Sequence, residues 1–362
     1  MTTFQIATLP GDGIGPEVCQ AAVDVLKAAT SSHQLDFVYL PGGASHYLAS
    51  GHVLDDDTFA ACQQADAILH GAAGLPDVTY PDGTEVGNDL HLQLRFKLDL
   101  YANVRPIKLY DPTFSPLKGL APGGIDYVIV RENTEGLYAS RGGGTLLRDS
   151  VTTDTIVMTR EGIERVTRFA LELCAQRQGA PRDHKPRLTI CDKANILRSY
   201  AFFRAVCQDV AKDYPAVELD YAYVDAITVH LLKRPDFYDV IVAENMFGDI
   251  ISDLGAATVG GLGIAPSAEI GDHHALFQGS HGSAPDIAGK NIASPLATIL
   301  SGAFMLDWLG KRHGETSLID AGQRIEAAVQ KTLANPATVP ADLGGNASCT
   351  DVTQAVCRAL QD

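Results

Sequence analysis

The feature that most constrains this chain is an alternation. Short apolar runs rich in β-branched residues are separated by longer runs with helical periodicity, the pattern of an α/β protein with a largely parallel sheet. Phe4–Leu9 reads as a strand, Pro10–Pro16 as a turn, and Glu17–Ala28 as a helix. Strands are predicted at Leu35–Leu40, Ala67–His70, Tyr127–Arg131, Leu188–Cys191, Leu219–Val224 and Val240–Ala243. Long helices are predicted at Arg160–Gln178, Pro295–Leu309 and Leu318–Leu333. Lys97–Arg105 leads to Pro106, read as a crossing between domains, and the glycine-dense Gly255–Gly263 reads as the return. The Gly-rich stretch 139–150 precedes a strand-like Val151–Thr159 and is read as an arm or a turn. At 362 residues one compact core is too small a container, so two domains or one large α/β unit are expected.

Charge removes several functions. The net charge is −16 with no basic run, which disfavours a phosphate backbone and an anionic membrane surface. No apolar stretch reaches the roughly 18–20 residues of a membrane span. The N-terminus, Met1-Thr2-Thr3-Phe4, carries no basic region or cleavage site, so a cytoplasmic protein is expected. Cys19, Cys62, Cys174, Cys191, Cys207, Cys349 and Cys357 are odd in number and lack a C-x-x-C pair, the pattern of reduced, buried thiols.

Five groups of residues carry chemistry. Gly11-Asp12-Gly13-Ile14-Gly15 lies between a strand and a helix, where glycines allow close backbone approach. The spacing is G-x-G-x-G and Asp36 opens the second strand instead of closing it, so a classical Rossmann reading is rejected; a plain turn competes evenly. Asp249 and Asp253 are four apart on one helix face, just beyond the strand Val240–Ala243, and Asp225 follows another strand. Carboxylates there suit Mg²⁺ or Mn²⁺ better than zinc; a solvated helix face is the plainer alternative. Lys193, in Cys191-Asp192-Lys193-Ala194-Asn195, suits a general base if a cation lies beside it, and is otherwise a surface lysine. Arg95, Arg105 and Arg131 offer three guanidinium forks for a di- or tricarboxylate, with Tyr138 a possible acid or a core tyrosine. Finally, the small-residue loop His281–Lys290 allows backbone to approach a flat ligand, and Asp286 offers acceptors for two ribose hydroxyls.

Together these segments resemble the isocitrate/isopropylmalate dehydrogenase family of metal-dependent β-decarboxylating dehydrogenases. The resemblance runs through LPGDGIGPEV (9–18), LRFKLDLYANVRP (94–106), VRENTEGLY (130–138), CDKAN (191–195), AENMFGDIISDLGA (243–256), HGSAPDIAGK (281–290) and DLGG (342–345). It implies a two-domain fold without a classical Rossmann domain. Residues 1–103 and 258–362 would hold the cofactor, and 104–257 would carry dimerisation and the metal and substrate residues. It implies that Arg95, Arg105 and Arg131 hold the malate carboxylates, with His91 and Leu92 facing the third substituent. Asp249 and Asp253 would bind the metal with Asp225 of a second subunit. Lys193, also from that subunit, would help deprotonate the substrate hydroxyl, and Tyr138 would protonate the enolate. Ile14, Asn195, Gly263, His281, Gly282, Ser283, Ala284, Asp286, Ile287 and Ser294 would line NAD. The expected activity is NAD- and Mg²⁺/Mn²⁺-dependent oxidative decarboxylation of a 3-substituted D-malate by a homodimer with shared active sites. Isopropylmalate leads, followed by D-malate, tartrate and (homo)isocitrate-type acids; a non-catalytic regulatory subunit is the reading from another class.

The chain departs from the family pattern at named places. His91 stands where isopropylmalate enzymes carry leucine, while Leu92 stays apolar. Asp89 and His91 occupy the serine and asparagine positions of isocitrate enzymes. Gln278 replaces a glutamate three residues before His281, and Ser294 replaces the asparagine of an A-N-P turn. RENTEGLY is closer to the homoisocitrate and tartrate/malate branches, LRFKLD to bacterial isopropylmalate enzymes.

Overall fold

The computed structural model describes residues 3–30, 35–81, 83–87 and 89–361, so Met1 and Thr2 of the N-terminal reading lie outside it. The chain divides into a first unit, Met1–Asp99 with Gly260–Asp362, and a second unit, Leu100–Val259.

The first unit opens with β1 (Phe4–Gly11), α1 (Gly15–Ala29), β2 (Leu35–Tyr39), α2 (Ala44–Ser50), α3 (Asp56–Gln64), β3 (Ala67–Ala72) and α4 (Asp89–Lys97). The second unit holds β4 (Ala102–Lys108), β5 (Asp126–Glu132), β6 (Thr145–Leu147), β7 (Val151–Thr153), α5 (Arg160–Gln176), β8 (Arg187–Asp192), α6 (Arg198–Ala211), β9 (Glu218–Tyr223), α7 (Val224–Lys233), β10 (Val240–Ala243) and α8 (Asn245–Val259). The chain returns to the first unit with β11 (Pro266–Ile270), β12 (Ala275–Gly279), α9 (Leu296–His313), α10 (Thr316–Leu333) and α11 (Cys349–Ala359).

In the first unit the strands run β2-β1-β3-β12-β11, parallel except for the β11–β12 pair. All six residues of β3 are buried, as expected of a parallel strand covered on both faces. Helix α1 starts with a proline in its first turn and buries Val18, Cys19, Ala22, Val23, Val25 and Leu26 completely. Helix α11 is fixed at its start by a capping box between Ser348 and Asp351.

In the second unit the order is β4-β5-β10-β8-β9. Strands β5, β10, β8 and β9 are mutually parallel and only β4 runs against its neighbour β5. Four strand ends therefore meet at one edge of this sheet. Arg131 is the last residue but one of β5, Glu244 follows β10, Lys193 follows β8 and Asp225 lies just past β9. That edge is where open α/β sheets place their ligands.

Several predicted details shift. Pro106 lies inside β4 opposite Val128, not at a crossing. An antiparallel ladder draws an N–H toward a given neighbour from alternate residues only, so one proline is tolerated. The strand predicted over Val151–Thr159 stops at Thr153, because its partner β6 is three residues long. Thr159 instead caps α5, accepting from the Gly162 N–H. Gly255 belongs to α8, where the absence of a side chain lets the helix sit against Tyr127 and Ile107. The turn comes at Gly260 and Gly261, both at positive φ.

Candidate active site

A cluster of charged side chains lies at the edge of the second unit's sheet. Arg131 is only 3% exposed, yet three functions converge on it. Its Nε donates to Asn245 Oδ1 at 2.9 Å, its Nη1 donates to Asp249, and its guanidinium lies 5.4 Å from the centre of the Tyr138 ring. Gly248 makes room: a Cβ there would fall 2.6 Å from that of Arg131. Arg105, from β4, reaches the same carboxylates, with Nη1 3.3 Å from Asp253 and Nη2 3.6 Å from Asp249. Its Nε is held by Asn103 Oδ1 at 2.9 Å. Tyr138 begins a short 3-10 turn and its hydroxyl donates to Asp249 Oδ2 at 3.1 Å.

The loop carrying Tyr138 is tied at several points. The buried Glu132 accepts from the Thr134 N–H and hydroxyl and from the Glu135 N–H. Burial nevertheless holds its carboxyl above the ordinary range. The Glu135 carboxylate accepts from the N–H and hydroxyl of Thr159, and Gly136 exchanges hydrogen bonds with Val157. Gly136 sits at φ +79°, and a side chain there would strike the Glu244 carboxylate.

Asp249 and Asp253 fit a hard divalent cation. They share one face of α8, offer oxygen donors only, and remain 34% and 57% exposed. Burial, reinforced by repulsion from Asp249, raises the pKa of Asp253 despite the attraction of Arg105 and Arg131. Within one chain and among the described residues, no three acidic, histidine or cysteine side chains gather as a metal site. Asp225 instead pairs with Lys193 at 2.5 Å, and that pairing holds its carboxyl below the usual range. The structure thus brings Arg105, Arg131, Tyr138, Asp249 and Asp253 together, and Lys193 with Asp225 as a separate pair. Asn195 lies exposed on the segment after β8.

The lysine–aspartate pair has its own support. Asp192 is fully buried and accepts from the Ala194 N–H and from two nitrogens of Arg204. Arg204 in turn lies 5.2 Å from both the Tyr221 and Tyr223 rings.

In the first unit Arg95 is buried and grips Glu269 with two hydrogen bonds, Nε at 3.0 Å and Nη2 at 2.7 Å. Gln278 Nε2 approaches the same Glu269 at 3.4 Å. A glutamate at 278 would set a second carboxylate beside Glu269, which gives that departure a local electrostatic reason. His91 and Leu92 are half-buried on α4, and Asp89 in its first turn accepts from the Tyr80 hydroxyl at 2.5 Å.

The expected NAD-lining residues of this unit are largely fastened to each other. Asp12 is buried and its carboxylate accepts from the N–H groups of Ala44, Ser45 and Gly74, so it anchors loops. The N–H groups of Asp12, Ile14 and Gly15 donate to Ala72, Ser283 and Asp12 carbonyls. The structure therefore favours a turn over a phosphate loop for Gly11–Gly15, since those donors are turned inward. Gly13, at φ +59°, packs so tightly on Ser283 that a Cβ would collide with its carbonyl. Ile14 is buried with Val18 and Ala293, and Ala284, Ile287 and Ala288 pack on that cluster. Ser294 donates to the Gly263 carbonyl at 3.1 Å. His281 Nδ1 meets the Gly282 carbonyl at 3.0 Å, and burial lowers its pKa. Gly282 and Asp286 are exposed, whereas Ser283 is buried. Sequence reasoning missed Asn245, Glu269 and the anchoring role of Asp12. Asn245 lies inside a quoted motif, but only its hydrogen bonds distinguish it there.

The fold and site define a two-unit α/β protein with carboxylates and guanidiniums at the edge of a parallel sheet, and the comparisons place it further. The family model for isocitrate/isopropylmalate dehydrogenase matches residues 5–356. A 3-isopropylmalate/3-methylmalate dehydrogenase of Methanocaldococcus jannaschii is 40% identical over 359 residues, covering 99% of each chain. A decarboxylating D-malate dehydrogenase of Escherichia coli is 40% identical over 371 residues, again covering 99% of each. The crystal structure of isocitrate dehydrogenase from Methylococcus capsulatus superposes with a TM-score of 0.86 at 34% identity, covering 99% of this chain and 100% of that one. This chain belongs to the isocitrate/isopropylmalate dehydrogenase family, and is an enzyme of the decarboxylating dehydrogenase class.

Proposed function

We propose that this enzyme oxidises and decarboxylates a 3-substituted D-malate, 3-isopropylmalate or a close analogue, using NAD and Mg²⁺ or Mn²⁺. The observation that carries the reading is the cluster in which Arg105 and Arg131 face Asp249 and Asp253, with the Tyr138 hydroxyl on Asp249. Guanidiniums suit the substrate carboxylates and the two aspartates suit a cation that binds the hydroxyl end.

Arg105 and Arg131 would hold and orient the diacid. Lys193 would take the proton of the C2 hydroxyl, held ready by Asp225. When bound, NAD supplies the hydride acceptor and the cation supplies positive charge that favours loss of carbon dioxide from the β-keto acid. Tyr138 would then deliver a proton to C3, on the carbon that lost the carboxyl group. Two separate groups are needed, because the base works at the hydroxyl and the acid at the neighbouring carbon. Ser283, Ala284, Asp286 and Ile287 would hold the adenosine end of NAD, Asp286 by accepting from the ribose hydroxyls.

Lys193 and Asp225 form their own pair apart from the Asp249 cluster, which supports a homodimer in which each pair completes the partner's site. D-malate is the second substrate reading, favoured by the 40% identity to the E. coli enzyme. The test is NADH formation by the purified chain on a panel of D-malate, 3-methylmalate, 3-isopropylmalate, tartrate and isocitrate. Turnover of 3-alkylmalates above D-malate is expected; no turnover of any member overturns the reading.

A further inference from the structure

Asn245 is the first residue of α8 and is wholly buried. Its side chain bonds in two directions. Oδ1 accepts from Arg131 Nε at 2.9 Å, and Nδ2 donates to the Glu135 carbonyl at 2.9 Å. The amide has one orientation here, because the guanidinium only donates and the carbonyl only accepts. Both partners belong to the segment that carries the site. Arg131 lies one residue before the end of β5 and contacts Asp249 directly. Glu135 lies three residues before Tyr138, whose hydroxyl also meets Asp249. The fit between α8 and this segment is close: a Cβ on Gly136 would come within 3.1 Å of the Asn245 Cβ.

The start of α8 is itself held firmly. The buried Glu244 accepts from the N–H groups of Met246 and Phe247 and from the Tyr200 hydroxyl at 2.8 Å. The Tyr200 ring stacks on Phe247 with centroids 4.6 Å apart. Asn245 is thus a fixed point against which the more irregular loop 133–138 is set.

We propose that Asn245 is a positioning residue for the reaction, with one amide setting both a substrate-holding guanidinium and the backbone that presents Tyr138. The inference rests on the roles given above to Arg131 and Tyr138. The two arms are separable. Arg131 acts on the bound diacid, so its placement is read in KM for the substrate. Tyr138 acts on the step after carbon dioxide leaves, so its placement is read in kcat. Asn245→Asp keeps an acceptor for Arg131 Nε but replaces the donor to Glu135 with an oxygen that repels the carbonyl. It is expected to lower kcat roughly 10- to 100-fold, the cost of a misplaced group, while KM stays within about twofold. Asn245→Ala removes both arms and is expected to raise KM as well.

The deciding experiment is a double-mutant cycle with Tyr138→Phe, read as kcat and KM on the favoured malate, with circular dichroism confirming the fold. In the Tyr138→Phe background, Asn245→Asp is expected to change kcat no further. If both single variants lower kcat and the losses multiply, Asn245 does not act through Tyr138 and the inference fails while the role of Tyr138 stands. If Tyr138→Phe alone leaves kcat unchanged, the role of Tyr138 falls and the inference falls with it. Should Asn245→Asp not fold, Asn245→Ala enters the same cycle under the same criterion.

Discussion

In the second unit the candidate site is made of side chains. Two arginines, two aspartates and a tyrosine from β4, β5, the loop after it and α8 meet within hydrogen-bonding distance. In the first unit the corresponding loops, 10–16 and 281–290, are made largely of backbone. Their glycines and small residues interlock, Ile14 donating to Ser283 and Asp12 tying Ala44, Ser45 and Gly74. In the charged cluster Arg131 is buried while the Asp249 and Asp253 carboxylates reach solvent. The backbone lattice is closed, and burial lowers the pKa of its His281. Chemistry that moves protons needs charges of adjustable strength. A surface that accepts a flat ligand needs fixed shape.

This contrast is testable. The largest effect is expected from Asp249→Asn in the side-chain site. It would remove one ligand of the proposed cation and leave Arg105 and Arg131 without their shared carboxylate, so turnover should drop about 10²- to 10³-fold with the fold intact. The check is NADH formation across a Mn²⁺ titration; near-normal rates at limiting Mn²⁺ would remove Asp249 from the cation site. Mixing this variant with Lys193→Ala, under conditions of subunit exchange, should restore activity if the proposed shared-site dimer holds, since one site of the mixed dimer would then keep both residues. Proven heterodimers without recovery would show that the two residues serve the same chain.

The next effect belongs to the backbone-built unit. Asp286 is exposed beside the partly buried Ile287. A carboxylate that accepts from ribose hydroxyls and repels a 2′-phosphate should favour NAD over NADP by at least ~10- to 100-fold in kcat/KM. Asp286→Lys combined with Ile287→Tyr should shift the preference toward NADP. Equal use of both cofactors by the native enzyme sinks the assignment.

Acid should act differently on the two units. His70 on β3 is buried, with Nδ1 donating to the Leu9 carbonyl at 2.8 Å, and burial lowers its pKa. The native state therefore binds fewer protons than the unfolded chain below the ordinary histidine pKa of about 6.5. Stability present above that pH is lost as pH falls below it, by up to about 1.4 kcal/mol per pH unit. His70→Asn, which retains a donor for Leu9, should flatten thermal unfolding between pH 6.5 and 5; an unchanged slope would assign the acid sensitivity elsewhere.

The smallest effect has the opposite sign. Asp253 has a raised pKa, so the native state holds its proton more firmly than the unfolded chain does. Its contribution is fullest at low pH and is lost as pH rises through the native pKa. At pH 7, with no divalent cation added, Asp253→Asn should leave the unfolding temperature unchanged or raise it slightly. The gain should stay below about 1 kcal/mol, given the exposure of the group. A clear loss of stability would mean that its pairing with Arg105 outweighs its desolvation.

Much of the second unit's site was legible because its residues follow strands in short motifs. Val240–Ala243 runs straight to Asp249 and Asp253, and Tyr127–Arg131 to Tyr138, so strand prediction alone brought them near one sheet edge. The helices α2, α3, α6 and α7 carried less signal, being short or having apolar residues on exposed faces, such as Phe202, Val229 and Leu232. The first unit was harder to read. From sequence the Gly11–Gly15 loop reads equally as a ligand loop or a plain turn, because the partners of Asp12 lie more than thirty residues away, at Ala44, Ser45 and Gly74. Nothing local to Arg95 signalled its pairing with Glu269, which is 174 residues further along.

Periodicity, glycine placement and ordered motifs determined the α/β class, the site-bearing strand ends and the family by sequence alone, since these depend on local geometry and residue chemistry. Only the tertiary structure decided how the charges pair: Arg95 with Glu269, Lys193 with Asp225, and Arg131 shared between Asn245 and Asp249. A hydrogen bond forms over about 3 Å, and no local pattern encodes which distant segment folding brings within that reach.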